Sequence, residues 1–299
     1  MLSQHSMRPS RAERGFSLVE LLVGSSVMLM ALALAGPFFV IARNRAQDLL
    51  LRVETLQGLR AATDSMLRDL RLGGACLPIT GDFITLDAVD VAGGPDQITT
   101  RTGVVRTDET CVRTVTTADI GASDATIPVQ SASGFSAGMR AYIIQANGTS
   151  GEVFTIASVD AGSNVLHKTT SLACQGGCGS PAYPAGSGVY AVDERQYAVD
   201  ATDPRNPVLT VAANGAQPVP LVYGIENLQV QYQLNDNCST QCTVVDLPNS
   251  SQWALVSQIY ITVAARSRTL ESDGQYYRVT RTAHAKPRNL LPATSAPGA

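Results

Sequence analysis

One carboxylate stands inside a long apolar run. Residues 16–42 read "FSLVELLVGSSVMLMALALAGPFFVIA", and Glu20 is the one charge among them. A carboxylate in hydrocarbon costs on the order of several kcal/mol unless it finds a partner. Two readings follow. Glu20 lies near the headgroups and stays wet, or it meets a cation. Cleavage after Gly15 would create such a cation, the α-amino group of Phe16, four residues before the acid. Amine and carboxylate can then neutralise each other, within one chain or between neighbouring chains.

The other residues able to do chemistry are few. There are six cysteines: Cys76, Cys111, Cys174, Cys178, Cys238 and Cys242. The 174/178 and 238/242 spacings could offer four thiolates to zinc. An even count in an exported chain favours disulfides instead. Proximity favours Cys174–Cys178 and Cys238–Cys242, which leaves Cys76–Cys111. The histidines are His5, His167 and His284, and no triad, phosphate loop or metalloprotease spacing surrounds them. "DATDP" (200–204) and "NDN" (235–237) carry oxygens that suit calcium or, as readily, turns. Trp253, Tyr276 and Tyr277 could bind a partner or lie half-buried on strands. We expect no catalytic residue, no metal and no cofactor.

The elements that position Glu20 can be read from pattern. Arg8, Arg11 and Arg14 against Glu13 place positive charge before the apolar run and hold that end in the cytoplasm. The run is long enough, at ~1.5 Å per residue, to cross a ~30 Å hydrocarbon core. A secretory signal would be shorter, with a small-residue cleavage site at its far end, so the chain reads as anchored. Gly36 and Pro37 should loosen or kink the helix, because proline removes a backbone hydrogen bond. From Arg43 to Leu72 a stripe of Leu49, Val53, Leu56, Leu59, Ala62, Met66 and Leu70 recurs at helical spacing. Arg52, Glu54, Arg60, Asp64, Arg68 and Arg71 lie mostly off that stripe. Gly73-Gly74 ends the helix.

The remainder reads as β-strands parted by turns. "DFITLDAV", "PDQITTRTG" and "CVRTVTTADI" precede a block rich in short strands, residues 121–193, expected to be a barrel-like insertion. "RQYAVDATDPRNPVLTV" then forms a hairpin turning at "DPRNP". "VYGIENLQVQYQL", with Ile225, Leu228, Val230 and Tyr232 alternating, is a strand, followed by "LVSQIYITVAARSRTL" and "QYYRVTRTAHAKPRN".

"GFSLVELL", residues 15–22, resembles the class III signal of type IV prepilins: basic leader, Gly-Phe, acid at the fifth mature position, apolar run. "VYGIENLQVQY", "VSQIYITVAARSRT" and "YRVTRTAHAKPRNL" resemble PilW-like minor pilins and the related J-type minor pseudopilins of type II secretion. "GFSAGMRAYII", "GEVFTIASVD" and "YPAGSGVYAVDERQYAVD" are similar to an insertion found in some of them. The resemblance implies cleavage between Gly15 and Phe16, N-methylation of Phe16 and docking through Glu20. The implied fold is α+β: a long N-terminal helix, half membrane and half amphipathic, packed on an antiparallel β-sheet pilin domain with a β-rich insertion. The boundaries would be a leader at 1–15, a transmembrane and assembly helix at 16–42, its amphipathic continuation at 43–74, β-domain parts at 75–120 and 194–291, the insertion at 121–193 and a tail at 292–299.

The implied role is a minor type IV pilin in a tip or priming complex. Its partners would be other minor pilins, the major pilin, the prepilin peptidase and the assembly platform. It would reside in the inner membrane with the domain in the periplasm, then in the pilus at the cell surface. A minor pseudopilin or a pilus-displayed adhesin are the alternatives. A net charge of -3 over 299 residues gives no basis for bulk nucleic-acid binding.

Overall fold

The computed structural model of the chain describes residues 15, 17–78, 85–148, 150–169, 171–172, 182–235, 242–249 and 252–287. α1 (Leu18–Leu72) is one continuous helix of 55 residues, about 82 Å long. Its buried face begins at Thr55 and continues through Leu59, Ala62, Thr63, Met66, Leu67 and Leu70. The lower part of the anticipated stripe is therefore core. Leu56 is half-buried, while Leu49 and Val53, on the turns before the buried face begins, are 61% and 48% exposed. The six charged positions flanking the stripe are exposed, as amphipathicity requires.

Fourteen strands follow among the described residues. They are β1 (Leu86–Val89), β2 (Gln97–Gly103), β3 (Arg113–Val115), β4 (Thr126–Pro128), β5 (Arg140–Ile144), β6 (Gly151–Asp160) and β7 (Val165–Lys168). Then come β8 (Gly188–Asp200), β9 (Val208–Ala213), β10 (Val219–Tyr223), β11 (Ile225–Leu234), β12 (Val244–Val245), β13 (Val256–Arg266) and β14 (Arg278–Ala285). All pairings are antiparallel. The fold is α+β, a long N-terminal helix against antiparallel sheets.

One sheet has the order β12-β11-β13-β14. Ile225, Leu228, Val230 and Tyr232 of β11 are all buried. The three-residue step from 225 to 228 breaks strict alternation, and a register shift between Ile225 and Asn227 absorbs it. Facing residues Ile259, Ile261 and Val263 join Leu59, Met66 and Leu70 of α1 in one core, with Ile98, Tyr197 and Leu209 from the second sheet.

The second sheet is organised by β8. Its first half pairs with β5 on one edge and β3 on the other. Its second half pairs with β9 and β2. β5, β6, β7 and β4 follow in order, and a bridge from Thr116 to Val129 brings the end of β4 back beside β3. The strands thus run in a closed ring around a separate core of Ile120, Ile127, Ile143, Phe154, Ile156 and Tyr183. Residue 193 lies inside β8, so both bodies share this one strand.

Buried charge locks the shared strand. Glu194 accepts from Arg101 Nε on β2 at 2.6 Å and from Arg140 on β5 at 2.8 Å. Burial pushes its carboxyl pKa up, but the Arg101 and Arg140 guanidiniums outweigh that and hold it below the usual range. On the helix side, the Tyr197 hydroxyl donates to Asp69 at 2.6 Å. Burial, then that bond, pushes the Tyr197 pKa up to about 12.

The helix ends against β2. Gly74, at φ +78°, donates to Arg101 O, and Gly103 donates to Ala75 O. Cys76 is bonded to Cys111 across 35 residues. In the loop-entropy picture such a link is worth about 3–4 kcal/mol. Gly103 is packed so closely that an added Cβ would lie 2.6 Å from Cys76 Cβ and 2.9 Å from its carbonyl oxygen.

Two outcomes are expected. Gly103→Ala lowers the stability of the detergent-solubilised chain by about 1–3 kcal/mol through overpacking, while Gly162→Ala, with ordinary contacts around it, leaves the melting temperature unchanged. Because the folded Glu194 pKa is depressed, its contribution is complete above the unfolded value near 4.5 and is lost as pH falls through the folded value. Thermal melts of Glu194→Gln should therefore show a large loss at pH 7, about 3–5 kcal/mol for a broken buried pair, and a shallower acid dependence than the parent.

Candidate assembly interface

The first half of α1 has no protein around it. Large apolar side chains across residues 18–41 are 51–79% exposed. An 18-residue window reaches a mean hydropathy of 2.2 with none of it buried. By length and composition this helix can cross a membrane. Within it the Ser25 and Ser26 hydroxyls donate to Leu22 O and Val23 O, so neither needs water. Pro37 has no N–H to give the preceding turn, yet the helix runs through Gly36 and Pro37 without a break.

Glu20 occupies the first turn of α1 and is exposed. Free N–H groups at a helix start favour an acid there. Gly15 stands in open space. Phe16, the proposed cleavage and methylation site, lies outside the described residues.

Between this bare segment and the buried seam, one loop reaches back along the helix. Residues 267–277 connect β13 to β14. Asp48 accepts from Ser272 N at 2.9 Å and from Ser272 Oγ at 2.6 Å. One turn on, Arg52 donates to both Glu271 oxygens, at 2.6 and 2.9 Å, and stacks 5.2 Å from the centre of the Tyr277 ring. The Ser272 hydroxyl and then its amide lower the Asp48 pKa, and the Glu271 carboxylate raises that of Arg52. The loop braces itself: Ser267 Oγ donates to Thr269 O and accepts from Tyr277 N, and Gly274, at φ +79°, donates to Glu271 O. Arg266 lies under Tyr276, 4.2 Å from the ring centre. Together α1 and the loop border a cleft of about 460 Å³ lined by Asn44, Gln47, Asp48, Leu51, Leu270 and Glu271, among others.

The remaining candidate residues are scattered. Tyr276 and Tyr277 are half-buried, in this loop rather than on a strand. Trp253 is half-buried in a 3₁₀ turn, edge-on to Tyr232 at 5.1 Å. His167 is on β7, and His284 on β14 lies 6.2 Å from the Tyr260 ring. Asp200 caps its own turn by accepting from Thr202, and Asp203 accepts from Arg205 N and Asn206 Nδ2, which is turn chemistry at the anticipated calcium loop. No group of three or more His, Cys, Asp or Glu suited to a metal occurs among the described residues. His5, Cys174, Cys178, Cys238, Asp236 and Asn237 lie outside those residues. Cys242 is disulfide-bonded.

The Asp48/Ser272 and Arg52/Glu271 contacts were not anticipated. The sequence placed Arg52 among the charges off the apolar stripe, facing solvent or neighbours. Its signal was an acid and a base one turn apart on α1 and an "ESDG" turn far downstream.

No protein-family model and no curated protein matches the chain. Among solved structures, it is similar to a type IV-like pilin, TTHA1219 from Thermus thermophilus. The identity is 13% over 79% of this chain and 98% of that one, with a TM-score of 0.37.

Substituting Asp48 by Ala removes both acceptors from Ser272. Amide hydrogen exchange at residues 271–275 should then quicken, with little change in the melting temperature of the core.

Proposed function

We propose that the chain is a minor type IV pilin of the PilW-like kind, a structural subunit of a tip or priming complex. The observation that carries this reading is the division of one unbroken helix. Its first half is apolar, bare and marked by a single acid in the first turn; its second half is the spine of a β domain. A soluble protein has no use for an exposed apolar helix of this length, and a simple anchor has no use for the acid.

On this reading the leader, residues 1–15, is removed between Gly15 and Phe16 by a prepilin peptidase, and Phe16 is N-methylated. The subunit waits in the inner membrane with its domain in the periplasm. It then joins other minor pilins and the major pilin through the assembly platform. In the bundle the new amine of one subunit meets Glu20 of a neighbour. The amine at a helix start faces the positive end of its own helix dipole, and a neighbour's carboxylate offsets both charges. Gly36 and Pro37 give the helix a place to loosen on packing. The ring-shaped body built on β3–β8 enlarges the subunit, which suits a tip better than a repeated shaft position. Catalysis has no part in this role.

Deleting the gene should sharply reduce surface pili. Glu20→Ala should do the same while leaving N-terminal processing intact. Losing a buried pair costs about 3–5 kcal/mol, so assembled subunits should drop about tenfold or more, counted by immunogold labelling. Mass spectrometry should find the mature chain starting at methylated Phe16. Assembly of Glu20→Ala at the parent level would overturn the pairing. Normal pilus numbers with lost exoprotein secretion would point to a pseudopilin, and normal numbers with lost attachment to an adhesin.

A further inference from the structure

One stretch of α1 belongs to neither of its two halves. The apolar run ends at Ala42 and the buried face begins at Thr55, so residues 43–54 form a neck about 18 Å long. Most of its side chains are exposed. A helix of this length is marginal in water without tertiary contacts. A weak turn lies just upstream, since Pro37 has no N–H to give residue 33 and Gly36 adds backbone freedom. Loosening that starts there would run into the neck.

Within the neck, one turn is tied from outside. Arg52 donates to both Glu271 oxygens, and Asp48 accepts from the Ser272 amide and hydroxyl. Asp48 and Arg52 are four residues apart, about 6 Å along a helix. Ser272 and Glu271 are chain neighbours, with Cα atoms about 3.8 Å apart. If the turn unwound, its ends would separate by up to about 13 Å, and two adjacent residues could no longer hold both. The Glu271 side chain is only 7% exposed, so this bidentate pair is sheltered, unlike a loose surface pair. The anchoring side is stiff. The loop prolongs the β13–β14 hairpin, with Ser267 N donating to Tyr277 O and Glu271 N to Gln275 O. At its base Arg266 is held by Glu226 and by Pro204 O.

We infer that the loop at residues 267–277 is a staple: it locks the turn from Asp48 to Arg52 in helical form, so that unwinding of α1 from Gly36 and Pro37 stops short of residue 48. The inference needs the geometry of the neck and not the pilin assignment. The staple extends the domain's hold on α1 from Thr55 back to Asp48, about two turns. The bare half can then change direction at residues 36–47 while the rest of the neck and the buried seam keep their register on the sheets.

Amide hydrogen exchange of the full chain in detergent micelles tests this. Arg52→Ala puts the best helix former into the neck, so intrinsic helicity and the staple predict opposite signs. With the staple, exchange at residues 49–54 quickens about tenfold or more, while residues 59–70 and the melting temperature keep the parent values. Glu271→Ala leaves the helix sequence untouched and should have the same effect. Unchanged or slower exchange at residues 49–54 in either variant would overturn the staple. Equal quickening at residues 59–70 would overturn it too, because the loop would then be a support of the buried seam.

Discussion

The packing of α1 from Thr55 to Leu70 on the two sheets is the contact on which everything else depends. Among the described residues it is the place where both sheets and the helix share a core, and Leu59, Met66 and Leu70 are at or near zero exposure there. Without it the four-stranded sheet would show an apolar face to water, and the ten-stranded sheet would lose the wall that Ile98, Tyr197 and Leu209 press against. The bare half of the helix inherits its direction from this seam. A helix is stiff over tens of ångströms, so a rigid grip on about four turns at one end aims the other.

Polar contacts refine that grip rather than create it. The Tyr197–Asp69 bond ties β8 to the helix, and Glu194, three residues earlier on β8, joins β2, β8 and β5. Both acids are buried, so each is tolerable only with its partners in place. This makes β8 the least replaceable strand: it contributes to the helix-backed core at one end and closes a separate ring at the other.

What could be read in advance divides along sequence distance. The helix, its end at Gly73-Gly74 and the buried positions of β11 follow from local periodicity and backbone chemistry. So does the β8–β9 hairpin, whose "DPRNP" turn is held by Asp203. The stripe extends past the buried core because Leu49 and Val53 continue the helical spacing beyond the point where that core ends, and spacing carries no information about where a partner stops. The bracing loop escaped notice for a related reason. Arg52 and Asp48 meet residues 219 and 224 positions away, and exposed charges on a helix look the same whether or not something distant returns to them. Ring closure through Thr116 and Val129 likewise needs three-dimensional pairing that no alternation pattern encodes. Glu20 was conspicuous because its chemistry conflicts with its neighbours, whatever the fold.

The Cys76–Cys111 bond gives α1 a second covalent route into the domain. The main chain leaves α1 through Gly73 and Gly74 and enters β1 and β2; the bond bypasses both strands and joins the helix end directly to the stretch before β3. Under oxidising conditions a protease that cuts anywhere in residues 77–110 nicks the polypeptide without releasing the ring-bearing portion from its tether. Such a cut is thereby converted from detachment into a retained scar, for as long as that one sulfur bridge is kept oxidised.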